Sequence, residues 1–331
     1  MELGNWSQGK ASQVKRDMTT NEHRKCIEIL EEDCNDWTNV KWATALRMQF
    51  GFVARGDDVH KAQNNNFSQH SQFNFALQTK LNWSKNVRDE RQCPFQIILG
   101  SMSTTFCLLL SLATCLEVRF ATFGTDSKWL FAEDYSHDPD HDEEDDHAPI
   151  HSLASYSKQA TDRVFQNPVF VALSRLTAGS LGMHSLRKCT ASFAKRMGCS
   201  QDDIDIRGRW KGNSGGRTST RCINPEQPHI DAKVCGHLCM EGPIKHCFKP
   251  GAEAGPAFFA EHVCPNINKF FPASSKMAET LGPALLWACF EPSVARTRIP
   301  DWLVKKVKEA YEAVSYTHLR AHETKANLVC R

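Results

Sequence analysis

The sequence predicts a mainly helical fold that carries a small β-sheet with one hairpin. Three observations predict it. Apolar residues recur at helical spacing in several separate stretches. One stretch, Phe73–Trp83, alternates with period two instead. The 331 residues, 41% hydrophobic and 24% charged, suffice for one or two domains with real cores.

Residues 1–18 are polar, carry no signal-like segment and read as a disordered lead. Thr19 and Glu22 then stand at capping-box spacing ahead of Cys26, Ile27 and Leu30, which marks a helix start. A second helix around Val40–Phe50 leads into GFVARGDDVHKA (Gly51–Ala62). In FNFALQTKLNW the odd positions are Phe73, Phe75, Leu77, Thr79, Leu81 and Trp83, and the even ones are mostly polar, the period of a half-buried strand. SKNVRDERQCP forms a turn, and FQIIL (Phe95–Leu99) returns as the hairpin partner.

The most apolar run, Phe106–Leu116, has about half the length that spans a bilayer, so Phe106–Glu117 reads as a buried core helix and no membrane partner is expected. Asp162–Leu176 reads as helical across Pro168. Leu186, Cys189, Phe193, Ala194 and Met197 recur at helical spacing, and Gly198 is the expected stop. Beyond Cys239 come turns (EGP, KPGAEAGP) and helical patterns near Met277–Phe290 and Ile299–Ala313. Residues 241–313 therefore read as a helical C-terminal extension packed on the main domain.

The net charge of +2 hides an asymmetry. Glu133–His147 holds nine acidic residues and no Lys or Arg, so the rest of the chain sums to +11. An acidic, solvated loop (133–151) on a basic body is compatible with a nucleic-acid partner. His137, His141 and His147 could collect divalent ions weakly there, but a solvated loop is the preferred reading. The fourteen cysteines have irregular spacing and read as free thiols of a reducing compartment. Cys235, His237 and Cys239, with His246 and Cys247 downstream, offer zinc-compatible atoms. No second clear pair follows, so buried thiols on a helix are preferred and no metal is expected.

VSYTHLRAHETKANLVCR (Val314–Arg331) resembles a sequencing adapter translated in one frame, then index and primer sequence. On that reading the natural sequence stops near Ala313, and Tyr316 and His318 are set aside as catalytic candidates.

The chemistry concentrates in HSLRK and RGRWK. His184 and Arg187, three residues apart, share one side of a helix's first turns. A guanidinium offers a planar fork for two phosphate oxygens, and a neighbouring imidazole can donate a hydrogen bond or move a proton. Trp210 lies twenty-three residues beyond Arg187; Arg55 sits in ARGDDV; Lys85, with Lys80 as competitor, follows the alternating strand. The ordinary readings are a salt bridge from Arg55 to Asp57 or Asp58, a solvated turn lysine, and a core tryptophan.

Together these residues resemble the catalytic domain of tyrosine recombinases (the phage-integrase family), and more specifically integrases of Crypton-type eukaryotic mobile elements and their relatives in protists. The order Arg, hairpin Lys, His-x-x-Arg, then His or Trp is the family's order. The gaps are close to its usual ones, with 30 residues from Arg55 to Lys85 and 132 from Arg55 to Arg187. The resemblance covers roughly Thr19–Met240. It implies the DNA breaking-rejoining catalytic fold over 19–240, duplex DNA as partner, a homo-tetramer on two sites, a nuclear location and no cofactor. Arg55 and Arg187 would clamp the scissile phosphate and Lys85 would protonate the leaving 5′ oxygen. His184 would assist proton transfer, and Trp210 would buttress the site. The family usually adds an N-terminal helical clamp, and only about 18 residues precede the first expected helix here.

The nucleophile is the departure. In the family a tyrosine hydroxyl attacks phosphorus, giving a 3′-phosphotyrosyl intermediate. The segment after Trp210 contains no tyrosine, and Cys222 stands about where one is expected. The other tyrosines, Tyr135, Tyr156 and Tyr311, lie before the motif or far beyond it. A cysteine side chain is much shorter than a phenol and falls short of an in-line position. The sequence thus predicts a recombinase by descent that is impaired as an enzyme. The alternative is a non-catalytic DNA-binding or interaction protein that retains only the fold.

Overall fold

In the computed structural model, which describes residues 15–81, 95–124, 129–131, 161–177, 179–210, 228–246, 255–291, 294 and 298–314, helices dominate and two small antiparallel sheets accompany them. Helix α1 (Thr20–Glu31) begins with the expected capping box: the Thr19 hydroxyl accepts the Glu22 N–H, and the Glu22 carboxylate accepts the Thr19 N–H at 2.7 Å. Helix α2 (Trp37–Phe52) outruns its expected span at both ends because Asp36 caps it and Val53 closes it in the left-handed region. It is buried almost all round, Lys41, Arg47 and Gln49 included, as befits a central rod. A short helix, α3 (Gly56–His60), follows.

The expected hairpin is present, but its first strand is short. Strands β1 (Phe67–Gln69), β2 (Leu77–Thr79) and β3 (Gln96–Ile98) pair antiparallel in that order, with Phe67 opposite Thr79 and Leu77 opposite Ile98. The strand does not start at Phe73 because His70 Nδ1 accepts the N–H groups of Gln72 and Phe73 and turns the chain there. Phe73 is exposed and Ala76, an even position, is buried; regular alternation holds only over Leu77–Leu81. Strand β1 had no sequence signal. Trp83 and the turn carrying Lys85 lie outside the described residues, as does the acidic loop.

Strand β4 (Gly100–Ser101) later pairs with β5 (Pro243–Ile244). Gly100 is required there, since a Cβ would lie 2.6 Å from the Ile244 carbonyl oxygen. Helix α4 (Leu108–Phe123) is the apolar run, extended to a Gly124 stop at φ +66°. The run Asp162–Leu176 is broken, not continuous. One wide turn covers Thr161–Phe165, Asn167 caps, and α5 (Pro168–Ser174) starts on Pro168, where a missing N–H costs nothing. Helix α6 (Met183–Arg196) follows its periodicity to Gly198 at φ +89°, although Met197 is exposed instead of buried. Then come α7 (Gln201–Gly208), capped by Ser200, and α8 (Pro228–Leu238).

The last helices pack on the main body and share its core. Helices α9 (Ile267–Phe270), α10 (Met277–Phe290) and α11 (301–314) share one apolar cluster with α1, α2, α4 and α6, to which Ile27, Leu46, Leu109, Leu186, Leu285 and Leu303 belong. The fully buried Glu117 of α4 accepts the Asn266 N–H at 3.0 Å and faces the Lys306 ammonium at 3.4 Å. The N-terminal boundary moves. Lys15–Met18 form a strap in which Arg16 pairs with Glu22, its side chain reaches Ser174 and Gly179, and Met18 is buried.

Among the described residues no helix is long and apolar enough to cross a membrane, the cysteines are free, and no group of three or more His, Cys, Asp or Glu is placed to hold a metal. Cys235 and Cys239 sit at the end of α8, and His246 lies 3.3 Å from Cys107 Sγ.

His23 is wholly buried between the rings of Phe50 and Phe106, at 5.1 and 5.5 Å, and burial holds its pKa down at about 3. Its unfolded-state pKa is higher, near 6.5, so acid protonates the unfolded chain first. The stability carried by the neutral ring is complete above about pH 6.5 and is lost as pH falls toward 3. Urea denaturation from pH 7 to pH 4 should show His23→Leu losing less stability than the wild type, by up to about 1.4 kcal/mol per pH unit. Parallel curves would show that His23 is not the buried titrating group.

Candidate functional site

Trp210 packs on the Arg187 guanidinium, and Arg55 lies near enough to act on the Arg187 charge, although the three are distant in sequence. Arg55 is delivered by a forced turn. Helix α2 ends at Val53, whose φ of +51° is unusual for a β-branched residue, and the Ala54 N–H returns to the Gln49 carbonyl. Arg55 follows at once, and its backbone N–H donates to Asp58 Oδ2 at 3.0 Å. Asp58 is 1% exposed. The ion pair weighed between Arg55 and Asp58 is absent: the carboxylate takes the Arg55 backbone, and its charge goes elsewhere.

Arg187 lies on the second turn of α6. The start of that helix is held by the N-terminal strap: the Met18 N–H donates to the Ser185 carbonyl, and Lys188 Nζ donates to the Lys15 carbonyl. Arg187 is 5% exposed, with Nη2 donating to the Gly208 carbonyl and its Cζ 4.2 Å from the centroid of the Trp210 ring. Burial draws its pKa down to about 10, assisted by the positive charges of Arg55 and Arg209 against the pull of Asp58. Arg55, Asp58 and Arg209 therefore all lie close enough to act on the Arg187 charge.

The segment RGRW accounts for the rest. Arg207 is fully buried, with Nε on the Gly51 carbonyl at 2.7 Å, Nη2 on the Ile97 carbonyl at 3.0 Å, and Nη1 on Asp231. Gly208 is a glycine because a Cβ would lie 2.6 Å from Trp210 Cε3. Arg209 closes α7 in the left-handed region at φ +54°, with Nη2 on Asp58 Oδ2 at 2.7 Å and Nη1 on Gln96 Oε1 at 2.9 Å. Trp210 is half-buried, and its N–H returns to the Asp205 carbonyl.

Buried donors are left over. Among the described residues Arg55 Nη1, Arg187 Nε and Arg209 Nε have no hydrogen-bond partner, and no carboxylate pairs with Arg55 or Arg187. Two buried arginines elsewhere are matched with carboxylates, Arg47 with Glu31 and Arg207 with Asp231, while the fully buried Arg119 donates to the Trp129 and Leu130 carbonyls. The cluster of Arg55, Arg187, Arg209 and Asp58 carries a formal +2 with free N–H groups, which chemically is a receptor for an oxyanion.

His184 occupies the turn before Arg187 and is exposed. Lys85 and Cys222 lie outside the described residues, as do Tyr135 and Tyr156. Lys80 is engaged by the Phe95 ring at 4.4 Å. Tyr311 packs against Phe258 and Phe290 in the core. Sequence reasoning missed Arg209, Gln96 and the scaffold pair Arg207–Asp231. One signal was available: Ile204 and Arg207 stand three apart, so an arginine occupies an apolar-spaced position.

Comparison of the chain with protein-family models, with curated proteins and with solved structures finds no match.

The contact between Gly208 and the indole is testable. Gly208→Ala should destabilise the fold by about 1–3 kcal/mol through overpacking. In a Trp210→Ala background the same change should cost much less, because the obstructing ring is gone. Equal costs in both backgrounds, measured by urea denaturation, would place the indole elsewhere.

Proposed function

We propose that this chain is a DNA-binding protein with the catalytic-domain fold of tyrosine recombinases, akin to mobile-element integrases, and that the arginine cluster grips a phosphodiester. One observation carries the reading: the buried Arg187 has no carboxylate partner among the described residues and feels the charge of Arg55, 132 positions away, which also has a buried N–H left over. A protein that buries positive charge without internal neutralisation gains when an outside anion supplies it. Together with the family-like order and spacing of these residues, this favours a phosphate of a DNA strand as that anion.

In this reading Arg55 and Arg187 bind the non-bridging oxygens and stabilise charge that builds on them during attack. Trp210 covers one face of the Arg187 guanidinium and fixes its plane. His184, one turn earlier on α6, is placed to hydrogen-bond the same phosphate or carry its proton. Lys85 is the proposed acid for the leaving oxygen. The strand-cleaving step needs a phenol where Cys222 stands, so the chain is proposed to hold DNA and to cleave it poorly. A nuclear location and assembly as a tetramer on two DNA sites belong to the same reading. The second reading, a purely binding protein on the same fold, is favoured by the one observation that Cys222 replaces the expected nucleophile.

A nicked suicide substrate separates the two. The wild type should bind duplex DNA in a strongly salt-dependent manner and trap little or no covalent adduct. Arg187→Gln should weaken binding and flatten the salt dependence, since one fewer phosphate charge is neutralised. Cys222→Tyr should gain a covalent adduct on denaturing gels. A well-folded Cys222→Tyr protein that binds DNA and traps none would show that the nucleophile belongs elsewhere. Absence of any duplex binding by the wild type would overturn the reading.

A further inference from the structure

Arg209 occupies a position that disfavours it. Its φ of +54° is left-handed, a conformation that costs a side-chain-bearing residue about 1–2 kcal/mol and that glycine or asparagine adopts more readily. Its guanidinium is nonetheless 2% exposed and spans two elements, with one nitrogen on Asp58 Oδ2 at 2.7 Å and another on Gln96 Oε1 at 2.9 Å. What does this costly placement achieve? Asp58 is the carboxylate that acts on the Arg187 charge, and its N–H partner is the backbone of Arg55, so it stands beside both phosphate-gripping residues. Its Oδ1 is buried and has no partner among the described residues. An unoccupied aspartate there would swing onto Arg55 or Arg187 and neutralise the pocket from within.

We propose that Arg209 is a positioning residue that holds the Asp58 carboxylate away from the Arg55 and Arg187 side chains, keeping those two guanidinium groups open to an external phosphate. This rests on the reading of the pocket as an oxyanion site. It assigns Arg209 an electrostatic task that a hydrophobic or merely space-filling residue could not perform. The charge balance makes the idea discriminating. With Arg209 removed, Asp58 cancels one of the two remaining arginines and the cluster falls from +2 to +1. With Asp58 also made neutral, the cluster returns to +2, although the Arg209–Asp58 pair has been lost altogether.

The test uses the purified full chain and inorganic phosphate, titrated by ³¹P line broadening at constant ionic strength set with chloride. The variants are Arg209→Gly and the double variant Arg209→Gly with Asp58→Asn. Arg209→Asn, whose side chain also tolerates a positive φ, is carried in parallel so that a folding failure of the glycine variant leaves a second measurement. Circular dichroism verifies the fold of each. The wild type should bind phosphate, and the single variants should bind at least about tenfold more weakly, as one uncompensated charge a few ångströms away implies. The double variant should return to within about threefold of the wild type, a rescue that a purely structural role for Arg209 would not produce. Unchanged affinity in the single variants, or a double variant as weak as the single, overturns the assignment of Arg209 while leaving the oxyanion pocket standing. Failure of the wild type to bind phosphate at all overturns both.

Discussion

The Arg207 guanidinium is the tie on which the site depends. One side chain on α7 holds the Gly51 carbonyl near the end of α2, the Ile97 carbonyl of β3 and the Asp231 carboxylate of α8. Gln96 returns the contact by donating to the Arg207 carbonyl at 2.8 Å. Much of the cluster hangs from these elements or lies a few residues beyond them, with Arg55 after α2, Gln96 on β3, and Arg209 and Trp210 after α7; Arg187, on α6, joins through its bond to the Gly208 carbonyl. A charged group this deep would be ruinous without its partners. Its five donors fit three separate elements in a way that an apolar residue could not, because packing fixes distance but not register.

Two strained residues flank the pocket, and both precede a functional side chain. Val53 and Arg209 hold positive φ, and each ends a helix with a reversal that sends the chain back toward β3. Two other helices, α4 and α6, are followed by a glycine at positive φ, Gly124 and Gly198. At Val53 the side chain is wholly buried, so the strain is offset by core packing. At Arg209 it is offset by the ion pair with Asp58. Backbone strain at a site is sustained only where the surroundings over-determine the conformation, and here the same hydrogen bonds that do so also aim the arginines.

Much of the fold was legible because its signals are local. The capping box at Thr19, the apolar period of α6 and the β2–β3 hairpin follow from residues a few positions apart. The strand start at Phe73 failed because a side-chain acceptor, His70 Nδ1, outcompeted strand pairing for two N–H groups. Helix α10 was legible over Met277–Phe290, but its apolar faces mark burial without saying against what. In the site, HSLRK and RGRWK were legible as chemistry, yet Arg207 and Arg209 look alike on paper. Their difference, scaffold for one and pocket for the other, is set by which carboxylate each meets: Asp231, 24 residues on, or Asp58, 151 residues back.

That contrast also explains why the cluster is not ordinary structural charge. Glu31 serves both Arg47 and Arg298, Asp231 serves Arg207, and the fully buried Arg119 donates to the Trp129 and Leu130 carbonyls. The cluster around Asp58 carries excess charge: Asp58 pairs with Arg209 alone, and the Arg187 pKa is drawn down to about 10 by burial and by the charge of Arg55 and Arg209. One more acidic side chain would have settled this charge within the fold. Leaving it unsettled costs stability in the empty state, and the cost is recovered when an anion enters, since whatever binds only the folded form stabilises it. On the reading proposed above, the residual charge answers to an anion outside the chain, and planar forks with unused N–H groups suit the oxygens of a phosphate.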